Sequence, residues 1–201
     1  MMVWPFVAAS YLIGAVPTSY LVGRLARGID LREHGSGNLG ATNAFRVLGG
    51  RLALPVLVFD IVKGWFPAFA FPRWDGAAAE WALVYGAVAV VGHVFSAYVR
   101  FRGGKGVATA GGVLIALAPL AAAVGVAVWA IVVALTRIVS LASLVAAIGL
   151  PVAVYLLRGA DAVFGLTLGL AVFVVFAHRS NIRRLLRGEE HRFGRRTREV
   201  G

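Results

Sequence analysis

No charged residue stands between Lys105 and Arg137. At 1.5 Å per helical residue the apolar part of that run, Val107 to Leu135, measures about 44 Å. A bilayer core is about 30 Å thick, so this length exceeds one crossing and falls short of two. Charge on either side decides between them. The loop from Arg24 to Arg51 carries five Arg against Asp30 and Glu33, whereas the Pro72 to Glu80 loop has only Arg73 against Asp75 and Glu80. Basic loops stay on the cytoplasmic side of a membrane, which puts the first loop inside and the second outside. Arg100, Arg102 and Lys105 return the chain to the inside. The segment after Ala177, with eight Arg against three Glu, belongs there too. Only two passes through Val107 to Leu135 satisfy this parity, one of them short, with the break expected near Ala118-Pro119.

Further apolar runs at about Val3 to Val22, Leu52 to Phe71, Trp81 to Tyr98, Val139 to Leu157 and Val163 to Ala177 complete the count. The expectation is an all-α integral membrane protein with seven transmembrane passes, N-terminus outside and C-terminus cytoplasmic. It forms one polytopic domain over 1–201, ending in a basic cytoplasmic tail, 178–201. The first run lacks a basic segment before it and a small-residue cleavage site after it, so it reads as a retained span rather than a signal peptide. Composition agrees: 14% of residues are charged, against about a quarter in soluble domains. The net charge of +11 would suggest nucleic acid in a soluble protein. Here the basic residues sit in loops between spans, so no nucleic-acid partner is expected. The chain has no cysteine, which excludes disulfides and thiolate metal ligands.

Three polar islands interrupt the apolar background. The first is Gly35-Ser36-Gly37-Asn38-Leu39-Gly40-Ala41-Thr42-Asn43, followed by Arg46. Its glycines match the dinucleotide fingerprint literally, but that motif works only inside a βαβ unit, and none exists here. What survives is physical. Glycine lets backbone amides approach an oxyanion, Thr42 and Asn43 add donors, and Arg46 adds a forked guanidinium suited to phosphate.

The second island, Gly103-Gly104-Lys105-Gly106-Val107-Ala108-Thr109, places a lysine at the expected start of a helix, where both favour an anion. It is not a nucleotide-binding P-loop, because position 99 is Val and Gly106 occupies the Ser/Thr place. The third, His178 to Glu190, sets His178 and Asn181 on one helix face inside an amphipathic, arginine-rich turn suited to a membrane surface. Thr136, Arg137, Ser140 and Ser143 form a smaller polar cluster on the same side. Asp60 and Lys63 read as an intrahelical ion pair, and His93 and Asp60 as isolated groups in apolar surroundings. Four dispersed histidines give no metal set, and no Ser-His-Asp arrangement is present. The chemistry therefore rests on anion binding.

Together the three islands, in this order across the whole chain, resemble the bacterial acyl-phosphate:glycerol-3-phosphate acyltransferase family, PlsY. Leu39 stands where that family commonly has proline, and Ser180 where it commonly has an acid. The resemblance implies transfer of a fatty acyl group from acyl phosphate to the sn-1 hydroxyl of glycerol 3-phosphate, giving lysophosphatidic acid and phosphate. It implies no cofactor or metal and no acyl-CoA or acyl carrier protein as direct donor. The implied setting is the bacterial inner membrane, among membrane lipids, with the site facing the cytoplasm.

On this reading Ser36, Arg46, Lys105, His178 and Asn181 are catalytic. Gly35, Gly37, Asn38, Gly40, Thr42, Asn43, Gly103, Gly104, Gly106, Thr109, Ser140 and Ser143 bind substrate. Ser36, Thr42, Asn43 and Arg46 are expected at one phosphate, and Lys105, Asn181 and His178 at the other or at the reacting carbonyl. The hydroxyl proton goes to a substrate phosphate oxygen in preference to His178. The competing expectation is a transporter of a small phosphorylated solute, using the same anion-binding elements.

Overall fold

The computed structural model describes residues 3–193 and, among these, contains helices and no strand. The end of the basic tail, 194–201, lies outside the described residues. Ten α-helices follow in order: α1 (Val3–Ala15), α2 (Thr18–Arg27), α3 (Ala41–Leu48), α4 (Gly50–Trp74), α5 (Trp81–Val94), α6 (Val107–Leu117), α7 (Pro119–Thr136), α8 (Val139–Arg158), α9 (Ala162–Ala177) and α10 (Arg179–Leu186).

The expected apolar runs are helical apart from a break at Val16-Pro17 in the first and an α-helix that stops at Val94 in the third, and the long one breaks at Ala118, with Pro119 opening α7. Proline suits that first helical position because the amide it lacks would have no partner there. The break explains the odd length of the run. With 11 residues, α6 extends about 16 Å, half of a hydrocarbon core. α7 then returns to the starting end, where the Arg137 carbonyl accepts the Phe193 N–H at 2.6 Å. Length and composition give four helices able to span a membrane, and six if the bent pairs α1/α2 (41°) and α9/α10 (61°) each count once. The expected seventh pass corresponds to α6, too short to count by this measure.

Two helix pairs approach closely through glycine. A Cβ on Gly64 of α4 would strike the Thr109 carbonyl of α6, and one on Gly112 of α6 would strike the Ile61 carbonyl of α4. In the α1–α5 pair, Gly14 lies against the Ala89 carbonyl and Gly92 against that of Tyr11. Small residues let helix backbones pack where lipid removes the hydrophobic drive for association. Large apolar side chains such as Leu120, Val126, Ile131 and Leu135 of α7 instead point outward, as expected for a lipid-facing surface. At the end opposite the basic loops, Phe6, Phe71, Trp74, Trp81 and Tyr85 form an aromatic cluster of the kind found at membrane–water boundaries.

The break between α1 and α2, at Pro17, frees two carbonyls inside the bundle. Ala15 O accepts from Ser96 Oγ at 2.5 Å, and Val16 O accepts from Lys63 Nζ at 2.9 Å. Irregular backbone at membrane depth persists when protein groups satisfy it in this way. The α2–α3 connection packs its Leu31 and Leu39 with Ala44, Leu48, Ala53, Val56 and Val99 into a small core. That core fixes the first polar island against α4.

Candidate functional site

Local hydrogen bonds determine the shape of the glycine-rich loop. Asp30 caps a 3₁₀ turn, Leu31–Glu33, and accepts from the Arg32 guanidinium at 2.6 and 3.0 Å. That hydrogen-bonded cation holds the Asp30 carboxyl at about 2, below its ordinary value, and Arg32 in turn lies over the Tyr20 ring. Gly35 and Gly37 follow at φ +62° and +69°, a region that disfavours side chains. A Cβ on Gly35 would also collide with Asn43 Oδ1.

Asn43 organises this loop from beneath. It accepts the Ser36 N–H at 2.8 Å and donates to the carbonyls of His34 (3.0 Å) and Leu31 (3.2 Å). All three polar functions of its side chain are engaged, so Asn43 shapes the loop that presents Ser36. Asn38 does related work, accepting Gly40 N–H at 3.0 Å and reaching the Gly103 carbonyl of the second island at 3.5 Å. Gly40 caps α3, which projects Thr42 and Arg46 into the same space.

The second island rests on the end of α5. Gly103 and Gly104 donate their N–H groups to the carbonyls of Val94 and His93, both at 3.1 Å, and neither glycine lines the cavity. Gly106, at φ +80°, turns the chain into α6. Thr109 faces elsewhere: it is fully buried and supports Gly64 of α4. It does not border the cavity, because three residues past Gly106 the helix has turned that position toward α4.

Lys105 donates to the Asn181 side-chain carbonyl, joining the second island to the third. Asn181 in turn donates to Glu190 Oε1 at 3.0 Å, and Arg184 Nε to Glu190 Oε2 at 3.0 Å. Burial first, then repulsion from Arg184, lowers Lys105 to about 8, with Glu190 opposing. His178 hydrogen-bonds the Val174 carbonyl through Nδ1 at 2.8 Å. A carbonyl only accepts, so Nδ1 carries the hydrogen, and in the neutral ring Nε2 keeps its lone pair.

All three islands border one cavity of about 1270 Å³, whose walls include Ser36, Arg46, Lys105, His178 and Asn181. It continues between α6, α7, α8 and α9, lined by Leu114, Trp129, Leu150 and Leu170. Ser140 and Ser143 both reach it but differ in role. Ser143 donates to Val139 O and accepts from Trp129 Nε1, whereas the buried Ser140 Oγ has no hydrogen-bond partner among the described residues.

The cavity also takes in Glu190, Asp60 and His93, none of them among the site residues expected from the sequence. For Glu190 the signal was its place at the end of the third island, where the acid pair Glu189-Glu190 among arginines calls for partners. Asp60 and His93, read from sequence as isolated, face each other: His93 Nδ1 lies 3.7 Å from Asp60 Oδ1. The expected Asp60–Lys63 pair is present at 2.7 Å.

A cavity with a polar, cationic head and an apolar channel suits an amphiphile bearing an anionic group. Known proteins share this sequence and fold. Residues 4–188 match the family described as glycerol-3-phosphate acyltransferase. Proteins of that name from Desulforudis audaxviator and Fusobacterium nucleatum are 49% and 39% identical, covering 93% and 94% of this chain and 93% and 96% of their own. The crystal structure of PlsY, an integral membrane glycerol 3-phosphate acyltransferase, in its glycerol 3-phosphate form superposes with a TM-score of 0.90 at 36% identity. It covers 96% of both chains. With agreement over nearly the full length in both sequence and fold, the chain belongs to the glycerol-3-phosphate acyltransferase family.

Proposed function

We propose that this protein transfers a fatty acyl group from acyl phosphate to the sn-1 hydroxyl of glycerol 3-phosphate, at the cytoplasmic face of a bacterial inner membrane. One observation carries the reading: the three polar islands and the apolar channel border a single cavity. Two anionic heads and one acyl chain require such a space. Ser36, Thr42 and Arg46 hold one phosphate, and Lys105, with Asn181 and His178, holds the other beside the reacting carbonyl. Asn38, Asn43 and the loop glycines set the geometry.

The sn-1 oxygen attacks the carbonyl carbon, the bond from that carbon to the bridging phosphate oxygen breaks, and inorganic phosphate leaves. The hydroxyl proton passes to a phosphate oxygen of the substrate. Negative charge grows on the leaving phosphate, where cationic and N–H donors act most strongly; a single such donor contributes about 3 kcal/mol. Holding both substrates against their mutual repulsion supplies the rest of the effect. His178 Nε2 is the alternative proton acceptor.

Acyl phosphate, rather than acyl-CoA or acyl carrier protein, is the direct donor. The purified protein is expected to acylate glycerol 3-phosphate from palmitoyl phosphate and to leave palmitoyl-CoA untouched; turnover of palmitoyl-CoA would remove the donor assignment. The transport alternative has no observation in its favour, and family membership points away from it. For orientation, reporters in the loop around Gly76 and at the C-terminus should fall on opposite sides of the membrane. Finding both on one side would reject the seven-pass arrangement.

A further inference from the structure

Asp60, Lys63 and His93 are all buried within the helical bundle, where ionisable side chains are costly and serve function by default. They are not an isolated ion pair. Lys63 Nζ holds Asp60 Oδ1 at 2.7 Å and the freed Val16 carbonyl at 2.9 Å, and Thr18 Oγ1 donates to the same carboxylate oxygen at 3.2 Å. The carboxylate is thereby fixed to the α1–α2 break. His93 Nδ1 stands 3.7 Å from that same oxygen. Asp60 Oδ2 and His93 Nδ1 have no hydrogen-bond partner among the described residues, and both residues line the cavity.

His93 in turn carries the lysine loop. Its carbonyl accepts the Gly104 N–H at 3.1 Å. Its ring Nε2 occupies the space that a Cβ on Gly104 would need, and its carbonyl the space for one on Gly103. The loop therefore lies directly on His93, one residue before Lys105. We propose that Asp60 and His93 are positioning residues for the reaction, transmitting the rigidity of the α1–α2 break through the His93 ring to the Lys105 ammonium. The inference rests on the assignment of Lys105 to a substrate phosphate.

The test separates positioning from stability. Asp60→Asn/Lys63→Met removes both buried charges together, an exchange that folded proteins commonly tolerate, and it keeps an acceptor for Thr18. His93→Phe keeps a ring against Gly104 but loses the polar contact. Both variants are assayed in detergent with palmitoyl phosphate and glycerol 3-phosphate, after thermal melting confirms folding. The expected result is a kcat lowered about tenfold or more, with each KM changed less than about threefold, because Arg46 and Lys105 keep their charges and only the placement of Lys105 shifts. Wild-type kcat in either folded variant overturns the proposal. If neither folds, Thr18→Val decides, since it removes one hydrogen bond to Asp60 and leaves every charge in place. A severalfold fall in kcat supports the proposal, and an unchanged kcat overturns it. Lys105→Ala runs in parallel: an active Lys105→Ala enzyme removes the Lys105 assignment itself. An inactive one beside wild-type kcat in Asp60→Asn/Lys63→Met removes only the positioning role.

Discussion

Asn181 accepts a hydrogen bond from Lys105 with its side-chain oxygen and donates one to Glu190 with its nitrogen. One amide thus joins the start of α6 to the segment that follows α10, accepting at its oxygen and donating at its nitrogen, whereas a carboxylate there could only accept. Asn181→Ala is expected to lower kcat/KM about 100-fold, the usual scale for losing one member of a preorganised charge-stabilising set. Asn181→Asp still accepts from Lys105 but sets a carboxylate against Glu190, and it should not restore activity. Steady-state kinetics on the two variants checks this; Asn181→Asp at wild-type rate would contradict it.

Asn43 and Thr42 are neighbours with different expected phenotypes. Asn43 is buried and makes three hydrogen bonds within the loop, whereas Thr42 is exposed at the cavity. Asn43→Ala leaves buried donors and acceptors unpaired at about 1–3 kcal/mol each, so it should lower both the melting temperature and activity. Thr42→Ala should melt like the parent and lose activity only. Equal melting temperatures for all three proteins would remove the scaffold role of Asn43.

The ammonium of Lys105 is the form that attracts phosphate. With its value lowered by burial to about 8, that form predominates below pH 8 and is lost above it. The kcat/KM profile reports groups of the free enzyme, so it should fall as pH rises through about 8. Lys105→Arg keeps its charge over this range, and any residual activity of that variant should lack the fall. A wild-type profile flat to about pH 9.5, well past that value, would contradict the role given to the ammonium.

Helix contact through Gly112 offers a test of packing. Gly112→Ala places a methyl on the Ile61 carbonyl of α4, and backbone cannot step aside as a side chain can. The expected cost is about 1–3 kcal/mol, read as a lower melting temperature. Gly165 and Gly169 of α9 have open space where a methyl would stand, so alanine at either should be neutral. A Gly112→Ala protein as stable as these controls would show that α4 and α6 can separate freely.

What could be read from the sequence follows from the physics that each feature obeys. The break at Ala118 was legible because charge parity and helix length conflict without it. The meeting of the three islands was legible because each is polar and each lies at the basic end of an apolar run. Partners across helices were not. Asp60 meets His93, and Thr109 turns to Gly64, according to how α4, α5 and α6 rotate about their axes. Nearly uniform apolarity around a membrane helix leaves that rotation unspecified. Asn43 shows a subtler limit: its residue type suits a phosphate ligand and a loop scaffold equally, and only its three partners separate the two.

Phosphate release from palmitoyl phosphate, measured on purified protein with and without glycerol 3-phosphate, tests the proposed acyl transfer most directly. Release is expected only when glycerol 3-phosphate is present, with one lysophosphatidic acid formed per phosphate, and both should be lost in a folded Lys105→Ala variant. Release that ignores glycerol 3-phosphate, or that survives Lys105→Ala unchanged, would contradict it.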